Sequence, residues 1–599
     1  MATIIEEIQL AAAQAVKDLY NLEISPREFS IQDTRKEFEG DFTIVVFPLN
    51  KYRLGSPQEV GEKLGQKLVD SHPDIKAFNV IKGFLNLSLT TVFWRKFLGR
   101  IRENTETFHN AHGAGHTVVV EYCSPNTNKP LHLGHLRNII LGYSLTEVLT
   151  ANGYKVIPVC LFNDRGTNIS KSMFAWLKAG KNDTPESLGV KGDKLVGDYY
   201  VQFSRMLSEE TAHLLEKGIP KHEAEKQTPS MQAVQEMTVQ WEEGDPQIRQ
   251  LWATMNGWVY EAFKDTFRRL GVHFQRFYYE SEVYQRGKET VDEGLAKGIF
   301  YTTADGSIEI DLTAEGMDKK TLLRSNGTSL YITQDLAIAA DKYKEFGMDK
   351  SIYVVGNEQD YHFKVLFEVL RKLEKPYAEG LFHLSYGMVD LPSGKMKSRE
   401  GTTVEADDLM DEMIQNAKEE TQKNPDKTLG MTESELNHLY EILGIGALKY
   451  YLVKVDPKKR MLFDPNESID LKGHTGPFIQ YSYTRTQAVR RQPDAVSMLT
   501  FNPEENPEEE MIESERTLLK LMARYPEVLR EAGESYNPAL IANFGYDLAK
   551  EYNRFYHEAK ILRKDFPRTS AFRFALSGWV GEMLKENMRL LGIQMPERM

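Results

Sequence analysis

Cysteine is almost missing from this chain. Only Cys123 and Cys160 occur in 599 residues, which excludes a disulfide framework and a CxxC pair for zinc, so both thiols are expected to be reduced. No window approaches the ~18 unbroken apolar residues of a membrane span. A cationic leader is missing as well. The stretch MATIIEEIQLAAAQAVKDLY carries Glu6 and Glu7 where a signal peptide needs positive charge, and a cytoplasmic protein without membrane contact is expected. Nor is there a surplus of positive charge. The formal net charge of -13 argues against a simple basic nucleic-acid binder. The deficit is uneven, because residues 441–599 hold 23 Lys and Arg against 23 Asp and Glu, whereas the first 440 residues hold 51 against 64. The last quarter therefore leaves room for a basic face toward RNA.

What is present is the composition of an ordinary folded protein, 41% hydrophobic and 27% charged. At roughly 150 residues per domain the length implies about four domains. Residues 1–112 read as a small α+β module: an amphipathic first helix, FTIVVFPL, a helix near VGEKLGQKLV, and the strands FNVIK and FLNLSL. From 113 to 173, the β-branched run TVVVEYC, the helical spacing of LRNIILGYSLTEVLTANGY and the run KVIPVCLF make a βαβ unit. Residues 174–275 are polar and helical, an insertion with the acidic turn EEGDP. Between 276 and 408 strand signals return in SIEIDL and SIYVVG with helices between and after them, the expected second half of the sheet. Residues 409–599 read as helical throughout, apart from the Glu-rich FNPEENPEEE, expected to be a solvated loop.

Two loops carry the chemistry. SPNTNKPLHLGH, Ser124 to His135, lies at the carboxyl end of the first strand of the βαβ unit, where open parallel sheets bind ligands. Gly134 falls where strand turns into helix, so a nucleotide can approach the backbone and the helix N-terminus favours phosphate. His132 and His135 could donate hydrogen bonds to a triphosphate as charge moves. Buried helix-start histidines, or a metal pair, are the other readings of the same spacing, the second lacking a carboxylate or cysteine at ligand spacing. PSGKMKSREGT, Pro392 to Thr402, places three basic side chains between two glycines. It is a surface turn or a phosphate-neutralising loop.

HLGH with KMKSR resembles the HIGH and KMSKS signatures of class I aminoacyl-tRNA synthetases, and SPNTNKPLHLGHLRN resembles the extended first signature of the arginyl-tRNA synthetases. The resemblance runs through the N-terminal module, the inserted helices, YYESEVY and the C-terminal LLGIQMPERM. It implies an α/β fold: a Rossmann-type parallel-sheet catalytic domain with a helical insertion, a small α+β N-terminal domain that meets the tRNA elbow, and an all-α C-terminal anticodon-binding domain. It implies activation of L-arginine by ATP with Mg²⁺, no tightly bound protein-held metal, transfer to the terminal adenosine of tRNA(Arg), activation that waits for tRNA, and a monomer. Lys129, His132, His135 and Lys395 become the catalytic set. Ser398 stands where the second signature usually has its second lysine, and Lys129, just before HLGH, is expected to supply that charge. Gly134, Gly356, Met388 and Lys397 are implied at ATP. NDRGTN, 163 to 168, departs from the commoner GDWGTQ and receives no role.

A guanidinium offers five donors and a permanent charge, so its site needs carboxylate, amide or phenol oxygens. Tyr331 and Asp335 are four apart and share one face of a helix start; on pattern alone they are core and an ordinary first-turn acid. The resemblance implies Tyr331, Asp335 and Gln359 at the guanidinium, with Glu121, Ser124 and Asn126 on the α-amino and carboxylate side. In TGPFIQYSYTRTQAVRR, aromatics interleaved with arginines suit stacked bases, although helical spacing equally suits a core. The resemblance implies one face of each kind, with Tyr481, Arg485 and the terminal Met599 toward the anticodon and Asn86 toward the elbow. Three rivals remain: a class I synthetase for another amino acid, a small-molecule nucleotidylyltransferase, and a catalytically silent RNA-binding relative. Glu121 and Asp335 argue against an acidic substrate.

Overall fold

A computed structural model of the chain describes residues 4–35, 37–103, 109–180, 183–284, 286–325, 330–392, 404–492 and 501–599. The run TVVVE forms β1, Thr117–Glu121, and all but its first residue are buried. A strand with no polar face is satisfied only between two parallel neighbours with helices above and below. Those neighbours are β2, Lys155–Phe162, and β4, Lys350–Gly356, and the sheet is completed by the edge strands β3, Arg276–Tyr279, and β5, Leu381–Tyr386. The order is β5-β4-β1-β2-β3, every pair parallel. From β1 the chain winds outward through the helix Leu133–Ala151 to β2 and then β3, and it returns to the other side of β1 as β4. The winding direction therefore reverses between β1 and β4, and such a switch point opens a crevice at the strands' carboxyl ends.

One expectation for this sheet needs correction. SIEIDL is not one of its strands. Ile308–Ile310 is the middle strand of a separate three-stranded antiparallel sheet, between Tyr301–Thr302 and Lys320–Leu323. Its alternation of isoleucine with acid suits a sheet wet on one face, not a strand buried on both. The second half of the parallel sheet instead comes from SIYVVG and from LFHLSY, while RFYY supplies the outer strand beside β2.

The crossover from β2 to β3 is the helical insertion, with long helices at Thr167–Ala179, Gly192–Glu216, Pro229–Glu243 and Pro246–Arg269. In its EEGDP turn Gly244 adopts φ +86°, and the Asp245 carboxylate then caps the next helix by accepting from the backbone N–H of Gln247 and Ile248 at 2.9 Å. The N-terminal module is an antiparallel sheet, Ile31–Asp33, Phe42–Val45, Phe84–Leu89 and Ile75–Ile81 in spatial order, with the helices Ile4–Tyr20 and Pro57–Ser71. Beyond Val404 helices dominate, from Ala406–Gln422 and Glu433–Val453 through Gly476–Arg490 to Pro567–Leu590. Among the described residues no helix is long and apolar enough to cross a membrane.

The first and last domains meet through charge. Asp41, 1% exposed, accepts from Arg516 at 3.1 Å and lies 3.2 Å from the Lys520 ammonium. The Glu-rich FNPEENPEEE is an anchored segment and not simply a solvated loop. Arg95 of the N-terminal module donates to its Pro503 carbonyl and to Asn506, at 3.2 and 2.8 Å, and Glu508 accepts from the Thr569 backbone N–H at 2.8 Å at the start of the last helix. Burial opposes its charge, but the bonds from Thr569 and Arg568 hold the Glu508 carboxyl down at about 2.

Gly142 fixes how closely the helix Leu133–Ala151 crosses β1, since a Cβ there would stand 2.2 Å from Cγ of the buried Tyr122. Gly142→Ala should therefore lower stability by about 1–3 kcal/mol through overpacking. Denaturant melts of the two proteins measure it, and unchanged stability would show that helix and ring part freely.

Candidate active site

The loop after β1 starts from an unusual backbone. Cys123 has φ +58°, and this turns the chain out of the sheet. Its N–H donates to Oδ1 of Asn138 at 2.7 Å, while the Asn138 amide donates to the Val354 carbonyl of β4 at 2.7 Å and to the Tyr386 hydroxyl of β5 at 3.1 Å. Further along, Asn163 of NDRGTN donates from its amide to the Ser124 carbonyl at 3.1 Å, and its backbone bridges Asn126 in parallel register. The buried Asp164 accepts from Ser281 and Tyr260, both at 2.7 Å. NDRGTN, left without a role by sequence, braces the first signature loop.

His132 is the N-cap of the helix Leu133–Ala151, and the two histidines form a reciprocal capping box. His132 Nδ1 accepts from the Gly134 N–H, and His135 Nδ1 accepts from the His132 N–H, each at 3.1 Å. With both Nδ1 atoms used as acceptors, each neutral ring carries its proton on Nε2. Burial, then the Lys129 charge, pushes the His132 imidazole down to about 4; burial also drives His135 well below its ordinary range. The rings lie 3.9 Å apart between centroids. Gly134 serves this geometry directly, because a Cβ there would stand 3.0 Å from His132 Cε1. The result is a helix N-terminus with two neutral N–H donors, an arrangement that stabilises a phosphate whose charge is shifting. Burial lowers the Lys129 ammonium, and no carboxylate among the described residues offsets that cost.

Across the switch point, Gly356 ends β4 and Met388 follows β5; a Cβ on Gly356 would lie 3.7 Å from the Met388 sulfur. Arg137, one turn into the signature helix and 0% exposed, reaches the Met388 carbonyl at 3.4 Å and the Pro457 and Lys459 carbonyls at 3.2 and 2.8 Å. Lys395 and Lys397 lie outside the described residues.

The residues expected around an amino-acid substrate gather at the same end of the sheet. Asp335 Oδ2 accepts from His362 Nε2 at 2.6 Å. Tyr331, one turn before it, is 74% exposed, so its phenol stands clear of the core. Gln359 is exposed at the start of the helix Asp360–Lys372, Asn126 is exposed, and Ser124 is half-buried. Glu121, expected on the α-amino side, already has a partner. It is buried and paired with the ammonium of Lys342, itself 0% exposed on the Asp335 helix. Sequence reasoning missed Glu280, the first residue past β3, inside the quoted YYESEVY. Its side chain is 6% exposed, hydrogen-bonded by Gln334 and within electrostatic reach of Asp335, and burial raises its carboxyl to about 7. The available signal was its position, an acid directly at the carboxyl end of a sheet strand.

The residues expected at RNA divide. Arg485 stacks over Tyr481 and Tyr556, at 4.7 and 5.2 Å from their ring centres, and donates to Asn553 at 2.7 Å, forming an aromatic and cationic face. Arg490 at the end of the same helix and Arg491 just past it are spent on Glu582 and on the Glu597 carbonyl. Asn86 is 1% exposed, accepts from Thr43 at 2.6 Å and donates to Asn79 at 2.7 Å, so its functional groups are already satisfied within the sheet. Its partner Asn79 is the half-exposed member of that pair. Met599 is partly buried against Ala417, Leu439 and Leu443.

The tRNA synthetases class I (R) catalytic domain model matches residues 100–464, the DALR anticodon binding domain model residues 479–599, and the arginyl tRNA synthetase N terminal domain model residues 6–89. The chain is 49% identical over 596 residues to an arginine–tRNA ligase of Bacteroides thetaiotaomicron, covering 99% of each, and 46% identical over 600 residues to one of Porphyromonas gingivalis, covering 100% of each. Among solved structures it matches the arginyl-tRNA synthetases of Thermus thermophilus, at TM-score 0.72 and 22% identity, and of Plasmodium falciparum, at 0.76 and 18%, with full coverage of both. These last two likenesses concern fold.

The neutral histidine pair can be tested by ring NMR. His132 should titrate near 4 rather than 6.5. Lys129→Met should move it upward only part of the way, because burial is the larger cause. A titration at the ordinary imidazole value would overturn the arrangement.

Proposed function

Since the chain belongs to the arginyl-tRNA synthetases of class I, we propose that it acts as an arginine–tRNA ligase. The arginine carboxylate attacks the α-phosphorus of ATP, pyrophosphate leaves, and a hydroxyl of the terminal adenosine of tRNA(Arg) then attacks the aminoacyl carbonyl and releases AMP. Mg²⁺ arrives with ATP as part of the substrate. The Nε2–H groups of His132 and His135 donate to the phosphate oxygens as pyrophosphate departs, beside the ammonium groups of Lys129 and Lys395. Gly134, Gly356, Met388 and Lys397 seat the nucleotide. Ser124 and Asn126 hold the α side of arginine together with Glu121, whose charge Lys342 already balances. Asp335, Tyr331 and Gln359 meet the guanidinium, and Glu280 joins them.

The single observation that carries the choice of arginine is the pair of carboxylates at the carboxyl end of the sheet, Asp335 against a histidine and Glu280 buried with its carboxyl raised. A polar pocket of this kind can reject analogues lacking the right donors by roughly 10⁴ to 10⁵ without editing. For the macromolecular partner, Tyr481 and Arg485 face the anticodon, Met599 lies near it, and the Asn79–Asn86 pair faces the elbow. Residues 1–112 serve as the elbow module, 113–173 and 276–408 as the catalytic halves, 174–275 as the insertion, and 409–599 as the connective and anticodon-binding part. The protein works in the cytoplasm as a monomer, and activation waits for tRNA.

ATP-dependent charging of total tRNA with each amino acid in turn tests this; product with arginine alone is expected, and product with any other would overturn it. ATP–pyrophosphate exchange should be negligible until tRNA is added. Asp335→Ala should raise the KM for arginine far more than that for ATP, and an unchanged arginine KM would remove Asp335 from the pocket.

Glu280 gives a pH signature. A carboxyl at about 7 is part-protonated at neutral pH, and a bound guanidinium favours only the ionised form. Below that value binding must first expel a proton, so the KM for arginine should rise about tenfold per pH unit and level off above it. Glu280→Gln should flatten the profile, and the same slope in that variant would exclude Glu280 as its source.

A further inference from the structure

The helical insertion touches the first signature loop at consecutive points. Thr127 donates to Oδ1 of Asn256, on the helix Pro246–Arg269, at 2.5 Å. Gly197, on the helix Gly192–Glu216, leaves so little room that a Cβ would meet Pro130 Cδ at 2.6 Å and Lys129 Cα at 3.5 Å. Leu131 and His132 are held from the other side by the chain that returns at Val404. Glu405 bridges His132 in antiparallel register, and the Ala406 N–H donates to the Leu131 carbonyl at 2.8 Å.

That returning segment is itself tied to the insertion by charge. Lys194 donates to Glu405 at 2.8 Å. Lys191 donates to Asp407 Oδ2 at 2.6 Å and to Thr266 at 2.7 Å, Thr266 donates to the same Asp407 oxygen at 3.1 Å, and Arg269 reaches the other oxygen at 3.2 Å. Arg269 also pairs with Asp411. These partners lie on the two longest insertion helices or, for Lys191, at the N-cap of one, and those helices are close-packed, since a Cβ on Gly192 would stand 2.2 Å from the Trp258 carbonyl oxygen. The exposures, 25% for Asp407 and for Glu405 and 26% for Arg269, place the pairs between surface and core, where charge geometry is held more firmly than on an open face.

We propose that the insertion is the mount of the first signature, with Glu405 and Asp407 as positioning residues that hold the Leu131–His132 backbone through Lys194, Lys191 and Arg269. This rests on the reading of His132 as a phosphate donor. The capping box makes its angle sensitive, because the ring is oriented by the backbone N–H of Gly134, two residues on. Displacing the His132 backbone therefore turns the Nε2–H away from the phosphate while leaving the Asp335 and Glu280 pocket in place. Transition-state stabilisation falls with such displacement more steeply than ground-state binding.

The test uses the full chain with tRNA and arginine present and follows ATP–pyrophosphate exchange in Glu405→Lys, Lys194→Glu, their double variant, and Asp407→Asn. Each single change should lower kcat by about 10- to 100-fold. The KM for arginine and the Kd for tRNA should each stay within about twofold. The double variant restores the ion pair with its signs exchanged and should return to within about threefold of the original rate. Full rate in all single variants would overturn the proposal. So would a double variant that loses the product of the two single losses, or single variants whose loss lies in the arginine KM. If Asp407→Asn fails to fold, as a thermal melt will show, the Lys194 and Glu405 set decides alone. An unaltered chain without arginine-dependent exchange would overturn the functional reading itself, whereas an active chain with indifferent variants would overturn only the mount.

Discussion

The buried side-chain amide of Asn138 holds the crevice in register. Its oxygen takes the N–H of Cys123 at the turn out of β1, and its nitrogen serves β4 and β5 through Val354 and Tyr386. Three strands and the signature helix thereby share one side chain that is 8% exposed. The left-handed turn at Cys123 leaves an N–H that no ladder partner can take, and a buried donor of that kind must be satisfied. The crevice between β1 and β4 keeps its shape because this polar group is met from the helix side.

The same economy governs the buried cations. Arg137 holds the carbonyls of Met388, Pro457 and Lys459 and, through burial, falls to about 10. Lys449 donates to the Leu270 carbonyl at 2.6 Å and to that of Gly592, two helix C-terminal ends, and falls to about 8. Helix ends carry partial negative charge, so Lys449 is stabilised by carbonyls, whereas Arg137 is held by loop carbonyls with the Asp456 charge nearby; each fastens one part of the chain to another. Two buried carboxylates, in turn, are met by cations, Asp41 by Arg516 and Lys520 and Glu515 by Arg573. Glu121 is matched in the same way by Lys342 inside the sheet. Within a net charge of -13 there is still room for an arginine-and-tyrosine face at Arg485 and for two acids, Asp335 and Glu280, within electrostatic reach of each other.

Much of the catalytic half was legible in the residues. TVVVE had to be a strand buried on both faces, LRNIILGYSLTEVLTANGY had to end near Gly153, and the loop between them had to stand at a carboxyl end. SIEIDL misled because a run of six with isoleucine at alternate positions satisfies any strand, and nothing local says which sheet it joins. RFYY was overlooked because an edge strand needs only one apolar face and so carries half the signal. Asn86 entered only through the resemblance, and its register with Asn79 and its bond to Thr43, which put it beneath the surface, involve strands that local sequence does not pair. The Glu-rich FNPEENPEEE read as solvated because composition reports charge and not the Arg95 and Thr569 that meet it.

What the sequence determined by itself was local and chemical: element types, the two signature loops, the acids and aromatics fit for arginine and RNA, and membership in a family of catalysts. Hydrophobic period and backbone preference act over a few residues, and these features lie within that range. Only the tertiary structure decided partners. It put Lys342 on Glu121, His362 on Asp335 and Glu280 beside Gln334, and it gave the signature histidines their tautomer through the N–H groups of Gly134 and His132. Those outcomes depend on desolvation and on distances between segments tens to hundreds of residues apart, and both are set only once the chain has closed on itself.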